Sequence, residues 1–117
     1  MGIATETIII LVIILHLYFL LLEMFLWEKP YGRKIFGLNR QFAVESKAMA
    51  ANQGLYNGFL AAGLIWGMLA GPAAVSILTF FLICIIIAGI FGGLTVSSKI
   101  IWIQALPAAA GLMLVLL

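Results

Sequence analysis

The sequence predicts an all-α, polytopic membrane protein with four transmembrane helices in one bundle. Three observations carry that prediction. Hydrophobic residues make up 66% of the 117-residue chain and charged residues only 9%, too little polar surface for a water-soluble domain of this size. The apolar residues fall into four runs with short breaks, about 7–27, 39–70, 74–93 and 99–117, each close to or above the roughly 20 residues that one bilayer crossing needs. All six basic residues lie in two of the breaks or beside them, which gives the chain a direction across the membrane. Little sequence remains outside the runs, so residues 1–117 are expected to form a single domain.

The first run, from about Thr7 to Trp27, follows no basic segment and ends at Trp27-Glu28-Lys29 without a small-residue cleavage site. It therefore reads as a retained helix instead of a signal peptide. Met1-Gly2 looks like a myristoylation start, but Glu6 stands where that signal needs Ser or Thr. Within this Ile- and Leu-rich run, His16 and Glu23 are two helical turns apart and project on the same side. They lie roughly 10 Å apart along the axis, so each needs its own partner on another helix. Trp27 suits the membrane edge.

Glu28 to about Leu38 reads as the one substantial loop, broken by Pro30 and Gly32. Asn39 is placed to cap a long second helix that ends near Ala70. Its first turns carry Arg40, Gln41, Glu45, Ser46 and Lys47 and would lie among headgroups. After a tight Ala70-Gly71-Pro72 turn, a third helix carries Ser76 and Thr79 near its start and the lone Cys84 in an apolar stretch. A single cysteine excludes an internal disulfide and a cysteine-based metal site. Lys99 opens the last helix. Pro107 has no N–H for the carbonyl of Ile103, which predicts a kink near Gln104.

Lys29, Arg33, Lys34, Arg40, Lys47 and Lys99 are the basic residues, and all belong to the first and third connections or to the helix ends beside them. The positive-inside rule places both connections in the cytoplasm and both termini outside, as expected for a multi-pass protein of the cell membrane. The net charge of +2 is no nucleic-acid signature.

The second run carries Asn52, Gln53, Tyr56 and Asn57 within an arc of roughly 140°. Such groups are unfavourable in lipid unless they face other helices or a wet cavity. Beside the arc runs a small-residue stripe, Ala50-Gly54-Gly58-Ala62, with Gly63-Gly67-Gly71 and Gly89-Gly93 repeating the spacing. These glycines read as helix-packing devices that bring another helix against the polar arc. Glu23, Lys99 and Gln104 are expected at a similar depth, with His16 nearer the midplane. A buried Glu23 needs either a cation, for which Lys99 is the candidate, or a proton. As a purely structural pair the two would be costly, because a buried ion pair often fails to offset desolvation.

The run Ala-Ala-Asn-Gln-Gly-Leu-Tyr-Asn-Gly-Phe-Leu-Ala-Ala-Gly-Leu from Ala50 to Leu64, with His16 and Glu23-Met24-Phe25-Leu26-Trp27, resembles a family of small bacterial and fungal membrane proteins. That family is catalogued as domain of unknown function number thirteen-hundred-and-four. Gly37-Leu38, Ala88-Gly89-Ile90-Phe91-Gly92, Lys99 and Gln104-Ala105-Leu106-Pro107 share the resemblance, which covers nearly the whole chain. It implies a four-helix membrane protein of about this length and implies little about activity.

The expected function is an intramembrane, cytoplasm-facing polar pocket for a small apolar or amphipathic molecule. Glu23 and His16 would handle protons, and Asn52, Gln53, Tyr56, Asn57, Lys99 and Gln104 would hold the ligand. Whether the protein is an enzyme stays open; if it is one, proton transfer such as isomerisation is the natural chemistry. No phosphate loop, HExxH, CxxC or nucleophile elbow is present, so neither cofactor nor metal is expected. The alternatives are a small proton-coupled exporter and a structural or assembly partner whose amides lock helices together. An exporter of the small multidrug type is disfavoured by the strong charge bias, which fixes one orientation. The small-residue stripes permit homo-oligomers under any of these readings.

Overall fold

The computed structural model describes residues 1–117 and is all α-helical. Five helices follow one another: α1 (Ile3–Met24), α2 (Pro30–Phe36), α3 (Arg40–Leu69), α4 (Ala74–Thr95) and α5 (Leu106–Leu116). A 3-10 turn, Gly71–Ala73, leads into α4, and a π-helical segment, Ile101–Ala105, leads into α5. Two helical stretches, Ile3–Met24 and Gly71–Thr95, are long and apolar enough to cross a membrane; Ile101–Leu116 is apolar but shorter.

The fifth helix, α2, occupies the segment expected to be a loop. Pro30 sits in its first turn, where a missing N–H removes no helical bond. Gly37 closes it in the left-handed region at φ 66°, with its N–H on the carbonyl of Arg33. Pro30 and Gly37 therefore bracket a helix, and Pro30 and Gly32, both read as breakers, belong to it. Gly32 faces the backbone of Leu26 so closely that a Cβ would collide with that carbonyl. This contact lets the chain double back directly after α1, which accordingly ends at Met24 instead of Trp27.

Asn39 caps α3 as its position predicts: its Oδ1 accepts the N–H of Phe42 at 2.8 Å. At the other end of the chain, Leu106 N–H bonds the carbonyl of Ile101, five residues back, and forms the π segment. A widened turn immediately before Pro107 accommodates a residue that cannot donate and whose ring crowds the preceding turn.

The chain packs as two compact units, Met1–Ile13 with Leu60–Leu117, and Ile14–Phe59. In the first, Ile9, Val12, Leu64, Leu78, Leu82 and Ile85 are fully or almost fully buried. Gly63 admits the ring of Phe81, and Gly67 admits Leu78. Gly89 lies against the backbone of Ala105; a Cβ there would stand 2.9 Å from its nitrogen. Gln104 uses that approach to donate to the carbonyl of Ile85 at 3.1 Å. In lipid, such close packing and the occasional interhelical bond hold helices together, because their side chains gain little by leaving an equally apolar solvent. The second unit contains the candidate site.

Candidate functional site

Within Ile14–Phe59, glycines bring α3 onto α1. A Cβ on Gly54 would stand 2.7 Å from Cγ of Met24, 3.0 Å from Cβ of Glu23 and 3.2 Å from the carbonyl of Leu20. One on Gly58 would stand 2.7 Å from Cδ1 of Leu20. The stripe thus packs a neighbouring helix closely, and that helix is α1. At the edge of this contact Asn57 is buried, and its Nδ2 donates to Oε1 of Glu23 at 2.5 Å. The partner of Glu23 is an uncharged amide. Lys99, expected to supply the cation, is exposed, and the salt bridge in the chain joins Lys47 to Glu28 instead.

The other three members of the polar arc face outward. Asn52 and Gln53 are exposed, and Tyr56 is 52% exposed with its ring 5.9 Å from that of Phe59. Helix geometry explains the division. At 100° per residue, Asn57 lies roughly 50° from the centre of the buried face set by Ala50, Gly54, Gly58 and Ala61, whereas Gln53 lies about 90° away and Tyr56 and Asn52 nearly opposite. The small-residue stripe and the whole arc cannot both face inward: Ala50 and Gly54 are buried and Gly58 half-buried, whereas Ala62, the last member of the expected stripe, is exposed and Ala61 is buried in its place.

His16 is fully buried, with its ring edge-on to Phe19 at 5.6 Å between centroids, and takes no part in the cleft that Glu23 lines. Gln104 and Lys99 belong to the other unit. Of the eight expected site residues, one pair is joined directly, Glu23 with Asn57.

Around Glu23 the unit forms a cleft of about 330 Å³. Met24, Phe25, Trp27, Ala48 and Ala51 supply apolar walls, and Glu28 and Lys47, 3.6 Å apart, complete the lining. Trp27 is fixed by two contacts, its Nε1 donating to Oγ of Ser46 at 3.0 Å and its ring lying 4.8 Å from that of Phe36. Ser46 in turn donates to the carbonyl of Phe42 at 2.6 Å. The sequence places Trp27 at the membrane edge, Lys47 among headgroups and Glu28 at the start of a loop, and none of them as cleft lining, because α2 and the turn before it set their positions. The arrangement can offer a carboxyl group to a molecule resting on an aromatic wall. No group of three or more His, Cys, Asp and Glu side chains stands together as a metal site.

Residues 10–116 match the sequence profile of a family described as "Protein of unknown function (DUF1304)". The chain is also similar to "Uncharacterized protein YpaA" of Lactococcus lactis subsp. lactis (strain IL1403), with 31% identity over 106 residues and 89% of each chain covered. No solved structure matches.

Proposed function

The chain belongs to the DUF1304 family of proteins of unknown function, and from that premise we propose a membrane protein that binds a small amphipathic molecule in the Glu23 cleft. In this reading α1, α3, α4 and the final helix all cross the bilayer, both termini are outside, and the cleft opens to the cytoplasm. The observation that carries it is Glu23 itself: a carboxyl group set near the end of an apolar helix, held through Oε1 by Asn57, and lining a cleft. A carboxyl group at such a depth is a functional group by default. The cleft volume lies at the small end of ligand pockets. Asn57 fixes the carboxyl's orientation, Phe25 and Trp27 take the apolar part of the ligand, and the second carboxyl oxygen of Glu23 meets its polar head. Any chemistry there is proton transfer by Glu23, since His16 is sealed in the packing.

A second reading, helix locking, is favoured by the two interhelical bonds Asn57–Glu23 and Gln104–Ile85. Native mass spectrometry of the detergent-purified protein beside Glu23→Gln separates the two. Ligand binding predicts a co-purifying small molecule that is absent from the variant while the fold is retained. An empty wild-type protein with a variant that is merely less stable would establish locking instead.

A further inference from the structure

The helix α2 and its flanks carry cations and apolar groups that do not line the Glu23 cleft. On α2, Tyr31, Ile35 and Phe36 are 51%, 48% and 37% exposed. Around them stand Lys29, Arg33, Lys34 and Arg40, four cations within twelve residues. None of the four has a carboxylate partner, because the salt bridge in the chain uses Lys47 and Glu28. Arg33 is partly buried, and its Nε is closed off from solvent without a hydrogen-bond acceptor. The helix is held at a definite depth. The Tyr31 hydroxyl lies 2.6 Å from that of Tyr18 on α1, roughly 9 Å along the axis from the end of that helix. The contact of Gly32 with the backbone of Leu26 fixes it at a second point.

A short helix laid against the flank of an apolar helix, with exposed aromatic and aliphatic groups and unpaired cations, has the composition of an interfacial element. We infer that α2 and its flanks form a seat for anionic phospholipid headgroups. Arg33 and Lys34, with Lys29 and Arg40, take the phosphate and its negative neighbours, and Tyr31, Ile35 and Phe36 lie at the acyl boundary. Charge complementarity selects this partner: four cations without carboxylates are poorly matched to a zwitterionic surface and well matched to an anionic one. The inference needs the chain to be in a bilayer and is independent of any ligand at Glu23.

The test titrates the full-length protein in uncharged detergent with dioleoyl-phosphatidylglycerol and, separately, dioleoyl-phosphatidylcholine, reading bound lipid by native mass spectrometry. The anionic lipid is expected to bind preferentially, with an affinity that falls as salt rises. Removing two cations in Arg33→Gln/Lys34→Gln should weaken it roughly 30-fold, and Arg40→Gln alone about fivefold. Lys99→Gln, which removes a cation elsewhere in the chain, should leave it unchanged. Thermal unfolding of each variant identifies any that fail to fold; if the double variant fails, Arg40→Gln and the salt series decide. Equal binding of the two lipids, salt-independent binding, or an Arg40→Gln protein with unaltered preference would each overturn the proposal. So would displacement of the lipid by an equal concentration of inorganic phosphate, which would mark a free-anion site.

Discussion

At the scale of single residues, the glycines of this chain differ in what they permit, and the difference is measurable. A methyl group on Gly89 would meet backbone and Cβ of Ala105 at 2.9 to 3.1 Å, and those atoms can move only if two helices separate. A methyl group on Gly92 would meet the side chain of Ile100, no closer than 3.3 Å, which can yield by a small rotation. Alanine also improves helix propensity by up to about 1 kcal/mol over glycine. Gly89→Ala should therefore lose about 1–3 kcal/mol through overpacking, while Gly92→Ala should be neutral or stabilising. Thermal unfolding midpoints in detergent check this ordering; equal midpoints would mean that the Gly89 approach contributes nothing to packing. The same close reading separates the polar residues. Asn57 and Tyr56 are sequence neighbours of similar polarity, yet 100° of helix turns one onto Glu23 and leaves the other exposed.

At the scale of elements, the long helices were legible because their signals are local. Asn39 announces the start of α3 through its own side chain, and Pro107 announces a break in the last helix through its own missing N–H. The helix α2 was not legible for the opposite reason: Pro30 and Gly32 read as breakers, and only the approach of Gly32 to Leu26, a contact between segments, shows that they shape a helix. The candidate site divides in the same way. Glu23 was evident from its depth in an apolar run, but its pairing with Asn57 in place of Lys99 depends on which face of α3 packs. A testable consequence concerns the π segment. Restoring a donor in Pro107→Ala should let Ile101–Ala105 relax toward α-helical geometry, which rotates Gln104 away from Ile85. The loss of one interhelical bond in that variant, or in Gln104→Ala, should cost about 0.6 kcal/mol and up to about 2. If Gln104→Ala matches wild type in unfolding midpoint, the bond to Ile85 has no structural weight.

At the scale of the whole molecule, α3 and the short final helix are the spans of the proposed topology that length and composition alone do not support, and α3 is the one that decides the setting of the cleft. The 30 residues of α3 reach roughly 45 Å, more than the bilayer core requires. Length and composition together nevertheless mark only Ile3–Met24 and Gly71–Thr95 as fully able to cross, because charges and amides recur along α3 from Arg40 as far as Asn57. The charge distribution supplies the missing constraint. In the proposed topology Lys29 to Lys47 hold one end of α3 in the cytoplasm, and the turn at its other end, Ala70-Gly71-Pro72-Ala73, has no charge to keep it there. Two positions decide whether α3 crosses. After replacing the single cysteine by Cys84→Ala, a new cysteine is placed at Lys34 on α2 or at Ala73 beyond α3, both exposed. An impermeant maleimide applied to intact cells should label Ala73→Cys, and should label Lys34→Cys only after the membrane is opened. Labelling of Lys34→Cys alone without opening would reverse the orientation of α3, and labelling of both would place its two ends together outside. Protection of both would place the two ends of α3 on one side, so that α3 lies along the surface and the cleft beside Glu23 loses its membrane setting.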